Sequence, residues 1–246
     1  MDTTRRFIRF WNSGAAALGS VGALYFKHWA TSHLSQQLAW FLAALIVATL
    51  TFCSDLFASW LIDNSKFLRR KLWRHRFVEG LWKEAILVTK GPERVLRGVA
   101  LVTIGYAEGS PVVSGDVFLC DGSPDGNFTS VSASYRDSLL NYSYKGVLVR
   151  KGDSFGHGHL SFTRPPVGEP ITFQGKFSGE ELDYGSLHVF GDKVVNDAEI
   201  RRAQQPEDRD ALIREVVEHF KERFPDYRPL AQPPADSAPI REGGER

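Results

Sequence analysis

The pattern of apolar and polar positions changes character three times along the chain. From Leu34 to Ser54, twenty-one residues pass without a charge, with LAWFLAALIVATLTF at the centre. At ~1.5 Å per residue a helix of that length crosses a hydrocarbon layer of ~30 Å. The eight Leu, Ile, Val and Phe residues between Leu38 and Phe52 favour insertion by roughly 2.5–5 kcal/mol, at about 0.3–0.6 kcal/mol each. Few soluble helices are apolar on every face for so long. Before this run lies a milder one, Phe10 to Phe26, diluted by Gly14, Gly19, Gly22 and four alanines. Its basic start also fits a signal peptide, but no small-residue cleavage site follows before KHWATSH, so an uncleaved first helix is expected. Ala15, Gly19 and Ala23 recur at i+4, a helix-packing stripe where two backbones can approach closely.

From Glu79 to about Val195 the texture becomes short alternating runs rich in Val, Ile, Phe, Tyr, Thr and Ser, broken by Gly/Pro clusters. Strands are predicted at Leu81–Val88, Val95–Tyr106, Val112–Cys120, Phe128–Arg136, Leu139–Arg150, His157–Thr163, Ile171–Phe177 and Ser186–Phe190. Eight consecutive antiparallel strands with no helix between them predict an up-and-down barrel, with a two-sheet sandwich as the alternative. Pro206 then opens EDRDALIREVVEHFKERF, with Leu212, Ile213, Val216, Val217, Phe220 and Phe224 on one helical face. Docking of that face on the barrel is the ordinary outcome. The expected fold class is therefore a membrane α-hairpin plus all-β. Two N-terminal transmembrane helices (residues 1–64) and a basic neck (65–77) precede an eight-stranded barrel (78–200), a C-terminal amphipathic helix (205–225) and a disordered tail (226–246).

Charge adds an orientation. The net charge is only +1, but nine Arg or Lys residues flank the two apolar runs on their outer sides, and only Lys27 lies between them. The positive-inside bias places both termini in the cytoplasm of a multi-pass inner-membrane protein. Arg69, Arg70, Lys71, Arg74 and Arg76 suit anionic lipid headgroups, at about 1 kcal/mol each near the surface; no DNA or RNA polymer is expected as partner. Cys53 and Cys120 offer neither a metal-ligand spacing nor a disulfide framework.

Catalysis finds no support. GDSFG at residues 152–156 matches G-x-S-x-G, but the nucleophile elbow requires a strand-to-helix turn. HGHLSFT reads as a strand, so the segment is taken as a Gly-rich hairpin turn. A hydrolase on Ser154 is a distant third reading; no metal and no cofactor are expected. Binding fits better, because aromatic rings stack on bases while Arg and Lys hold phosphates. The nominated ligand-binding residues are Trp82, Arg97, Tyr106, Ser130, Ser132, Arg136, Tyr142, Tyr144 and Lys176. Strand alternation puts Ser130, Ser132, Ser134 and Arg136 on one face of their strand, and Tyr142 and Tyr144 on a single face of theirs.

Two N-terminal membrane helices, a basic neck and a β-rich domain resemble the two-transmembrane, β-barrel effectors of bacterial cyclic-oligonucleotide anti-phage systems (CBASS). FTSVSASY at Phe128 to Tyr135 and LNYSYKG at Leu140 to Gly146 are similar to the effector barrel, and Gly80-Leu81-Trp82 resembles the G-x-W start of lipocalin-type barrels. The resemblance spans about Arg5 to Val195; it does not include the helix after Pro206 or the Pro-rich tail. It implies a cytosolic barrel that senses a cyclic dinucleotide as activating ligand, and membrane helices that assemble as a homo-oligomer and breach the inner membrane. The alternative is a non-lethal, membrane-anchored lipocalin-like module holding a lipid or a protein partner.

Overall fold

The structure, a computed structural model, describes residues 2–31, 35–90, 93–107, 110–149, 152–179 and 187–230. The chain forms two compact units, residues 1–77 with 165–169, and residues 78–164 with 170–246.

In the first unit, α1 (Asp2–Ala30) and α2 (Gln36–Asn64) form an antiparallel helical pair. Ser35 caps α2, its hydroxyl accepting from Leu38 N at 3.4 Å. Asn12 Nδ2 donates to Asp55 Oδ1 at 3.0 Å near one end of the pair, and the Lys27 ammonium sits 3.7 Å above the Trp40 ring near the other. Gly19 and Ala23 are buried and Ala15 is half-buried, while α2 contributes buried Ala39, Ala43, Ala58 and Ile62. The small-residue stripe thus lies within the pair, where missing side chains let the backbones close up. A Cβ at Gly19 would already stand 3.4 Å from Leu50 Cδ1. Gly19→Leu is therefore expected to spread the pair. A disulfide between cysteines placed at 12 and 55 should form readily in the parent and poorly in that variant.

Among the described residues, α2 is the one helix long and apolar enough to cross a membrane. Its apolar window has a mean hydropathy of 2.0 and is only 11 % buried, which sets it apart from a soluble core helix. Of the two spans expected, α2 alone qualifies as a candidate by length and hydropathy; α1 is a continuous 29-residue helix, but Asn12, Ser13, Ser20, Lys27 and His28 dilute it. The expected basic neck folds as α3 (Lys66–Trp73), capped by Ser65, and a 3₁₀ turn (Arg74–Arg76). Arg70, Lys71, Arg74 and Arg76 are exposed. Arg69 departs from the surface role: it is buried, and its guanidinium donates to the carbonyls of Ile62 (3.1 Å) and Asp63 at the end of α2. The last carbonyls of a helix lack intrahelical partners and attract a cation.

The second unit is a closed antiparallel barrel of eight strands: β1 (Gly80–Lys90), β2 (Glu93–Ala107), β3 (Ser110–Leu119), β4 (Pro124–Arg136), β5 (Leu139–Leu148), β6 (Gly152–Phe162), β7 (Thr172–Gly179) and β8 (Leu187–Lys193). Neighbours in sequence are neighbours in space, and β1 closes the ring by pairing with both β2 and β8. Closure decides against the sandwich and leaves no long free edge. GDSFG proves to be part of β6 rather than a turn, with Ser154 buried on the inner face. Ser186, where β8 was expected to begin, lies outside the described residues.

Alternation on β1 sends Trp82, Glu84, Ile86 and Val88 inward, and Ala85 and Leu87 outward. The outward set would be exposed but for α5 (Pro206–Arg223), which lays Leu212, Ile213, Val216, Val217 and Phe220 over Ala85, Leu87, Val99, Leu101 and Phe118. A short helix not foreseen, α4 (Asp197–Gln204), precedes α5; its Arg202 forms a two-pronged pair with Glu215 at 2.7 and 2.9 Å. Beyond α5, Tyr227 packs on the same outer core, and Arg228–Pro229 (β9) pair in parallel with Val95 and Leu96. The expected tail thus stays attached through residue 230; the rest of it lies outside the described residues.

Candidate functional site

Along its axis the barrel interior divides into three levels. At one end Trp82 packs against Phe162 and Phe173, with ring centroids 5.2 Å away in each case, and Tyr135 stands edge-on to Phe162 at 5.8 Å. The Trp82 indole donates to Val78 O at 2.9 Å and lies 5.7 Å from the Lys193 ammonium. This plug is dry. Trp82, nominated as a ligand contact, is fully buried in it.

Across the middle level, Phe128, Tyr142, Tyr144 and Phe177 form a ring cluster with centroids 5.6–6.4 Å apart. Glu84 shares the interior. Its side chain is wholly buried, and neither carboxyl oxygen has a hydrogen-bond partner; the buried Tyr142 hydroxyl has none either. Burial without a partner disfavours the charged form; it pushes the Glu84 carboxyl up to about 8, so the group is mainly protonated at neutral pH. Burial likewise raises the Tyr142 and Tyr144 phenols, with the nearby Glu84 adding to both and Arg97 opposing at Tyr144.

At the far end two β-bulges shape a mouth. The β1–β2 register passes from Ile86↔Gly98 to Leu87↔Leu96, leaving Arg97 as the extra residue. The β3–β4 register passes from Val117↔Gly126 to Phe118↔Pro124, leaving Asp125 as the extra residue. Bulges re-aim side chains, and here Arg97 Nη2 meets Asp125 Oδ2 at 3.0 Å with both side chains largely buried. A cavity of about 60 Å³ lies between this pair, Tyr144, Phe128, Phe177 and Leu187. That is far below the ~300–1,000 Å³ of ordinary small-ligand sites, too little for a nucleotide or a lipid chain.

The larger concavity is outside. Across the outer face of β4 to β7, Ser132 pairs with Ser143, Ser143 with His157 and His157 with Ser178. The next row runs Ser134, Asn141, His159, Lys176. These two rows border a groove of about 600 Å³, within the ~300–1,000 Å³ range of ordinary small-ligand sites. His157 Nδ1 and Ser143 Oγ are 3.0 Å apart, and His159 Nδ1 contacts Asn141 Oδ1. Lys176 is exposed and forms no ion pair among the described residues. Small side chains at 132, 134, 143 and 178 keep the floor open, while Gly158, opposite Tyr142 on the inner face, leaves room for its ring: a Cβ there would stand 2.4 Å from Tyr142 Cζ. The Tyr142 ring therefore packs on the inner side of the Gly158 backbone, in the wall whose outer side carries the groove, and its hydroxyl lies in the interior.

The nominated residues divide accordingly. Ser132, Tyr142 and Lys176 border the groove, and Arg97 and Tyr144 line the mouth cavity. Tyr106 is half-buried near the opposite end of β2 from Arg97, and Arg136 is exposed beside Asp137 at 3.5 Å. The expected row of Ser130, Ser132, Ser134 and Arg136 is broken by a bulge between Ser130 and Ser132. Ser130 opposes Tyr144 on the inner face, where its hydroxyl accepts from Val113 N at 2.9 Å. Sequence reading missed Asn141, Ser143, His157, His159 and Ser178 as groove residues. The i, i+2 spacing of His157 and His159 in a strand carried that signal. It also missed Glu84, a charge in phase with Trp82 and Ile86.

No family model matches the chain, and no curated protein matches it. What fold and site define is a closed β-barrel with a polar external groove, on a chain that also carries a candidate membrane span.

Proposed function

We propose that the protein is a membrane-anchored anti-phage effector whose barrel takes a cyclic dinucleotide in the groove over β4 to β7. The observation that carries this reading is the groove itself: about 600 Å³, bordered by a lysine with no ion pair among the described residues, two imidazoles, an asparagine and four serines. Such donors suit two phosphodiesters and the hydroxyl-bearing sugars between them. The ring-filled middle and closed end of the barrel, with a mouth cavity of only about 60 Å³, argue against the alternative of a lipid carried in the lumen.

In this reading α1 and α2 both enter the inner membrane, with the N-terminus and the barrel in the cytoplasm. Ligand binding drives several copies to assemble and disrupt the membrane, since a single helical pair encloses no pore. The stripe of Ala15, Gly19 and Ala23 is occupied within the chain, so contacts between copies fall to outward side chains such as Leu18, Val21, Leu24, Tyr25 and Trp29, all exposed. The test is expression beside an active cyclic-dinucleotide synthase. The parent should stop growth and depolarise the membrane, and Lys176→Glu, which reverses the groove's free charge, should insert normally and lose most of that effect. Undiminished killing by Lys176→Glu counts against the groove.

A further inference from the structure

Among the described residues, two polar groups at the middle level of the barrel interior are unaccounted for by the groove. They are the Glu84 carboxyl on β1 and the Tyr142 hydroxyl on β5, each buried and without a hydrogen-bond partner. Buried polar groups left unpaired cost ~1–3 kcal/mol each and are rare in native proteins. These two face a common interior, and Glu84 acts electrostatically on Tyr142. Tyr142 also touches the groove's wall, because its ring packs on the inner side of Gly158, between the groove residues His157 and His159. One interior side chain thus supports the strand segment that carries both groove imidazoles.

We propose that Glu84 and Tyr142 form a proton-operated coupling between the barrel interior and the groove. When the Glu84 carboxyl loses its proton, the Tyr142 hydroxyl turns to donate to the carboxylate, and its ring shifts against the Gly158 backbone that lies between His157 and His159. The proton leaves to solvent by way of the cavity one level above, where Ile86 and Tyr144 are the next inward residues on the same two strands. The event joins an acceptor in need of a donor to a donor in need of an acceptor, so the pairing relieves both. As regulation of the groove it rests on the proposed function; the movement itself needs no ligand.

Other groups facing the interior do not take over this role. Arg97 from β2 is held by Asp125 from β4 at 3.0 Å. Tyr144, beside Tyr142 on β5, lies closer to Arg97 and is partly solvated. Tyr135 on β4 and Lys193 on β8 belong to the plug around Trp82. His157 and His159 face the groove, outside the barrel wall. Burial that raises the Glu84 carboxyl to about 8 puts the transition within reach of mild alkaline conditions.

The test is an NMR titration of full-length protein in detergent micelles, labelled with ¹³Cζ-tyrosine and ¹³Cδ-glutamate, between pH 6 and 9.5. Tyr142→Phe identifies the Tyr142 signal. Glu84 should titrate with a midpoint near 8, and the Tyr142 signal should move with the same midpoint. In Glu84→Gln the Tyr142 signal should stay flat over that range. A flat Tyr142 signal in the parent, or an unchanged transition in Glu84→Gln, overturns the coupling. No cyclic dinucleotide is present, so either result leaves the groove reading to be judged by its own binding test.

Discussion

Glu84→Gln should raise the stability of the barrel by several kcal/mol at pH 8 and flatten its pH dependence. The folded barrel keeps the Glu84 proton up to about pH 8, whereas the unfolded chain releases it near 4.5. Between those values the folded state binds more protons, so stability is greatest below the lower value and falls as pH rises through the window. At ~1.4 kcal/mol per unit, the accumulated loss by pH 8 approaches roughly 5 kcal/mol. Glutamine fills nearly the same volume without ever becoming charged. Urea denaturation of the parent and the variant at pH 5, 6.5 and 8 measures the difference, which should widen steadily with pH. A constant difference across the three would show that Glu84 ionises as readily in the barrel as in the unfolded chain.

Arg97→Ala is expected to be the most damaging single change at the mouth. It strands the Asp125 carboxylate, whose side chain is only 9 % exposed, without its cationic partner. Breaking a buried pair from one side costs about 3–5 kcal/mol, whereas replacing both partners by apolar groups is often neutral. Arg97→Met combined with Asp125→Leu should therefore recover most of the stability lost in Arg97→Ala. Denaturation midpoints of the three proteins decide it. Equal losses in the single and double variants would mean that the bulges need these two residues for their backbone geometry, not for the charge pair.

The strands were legible because half-buried β structure alternates: Trp82, Glu84, Ile86 and Val88 point one way and Ala85 and Leu87 the other. The docking face of α5 was legible for the matching reason, its period of 3.6 from Leu212 to Phe220. Bulges were not legible. An extra residue at Arg97, Asp125 or Val131 leaves the composition of its strand unchanged, yet each re-aims a side chain or flips the row that follows, as it did between Ser130 and Ser132. GDSFG was misread because glycine in a strand resembles a turn. Gly158, a few residues on in the same strand, shows why β6 is glycine-rich: the rings of β5 occupy the space a side chain would need. The groove rows became visible only once the register was known, since their residues come from four strands. α1 was read as a span on its length and lack of charge, but its hydropathy does not reach that of α2.

Titration of full-length protein in detergent with a panel of cyclic dinucleotides, followed by calorimetry, tests the central claim most directly. Saturable binding of at least one member is predicted, weakened at least tenfold by Lys176→Glu and little changed by Arg97→Met with Asp125→Leu, which alters only the mouth of the lumen. Absence of binding by every member, or binding lost through the mouth variant and retained by Lys176→Glu, would contradict the account.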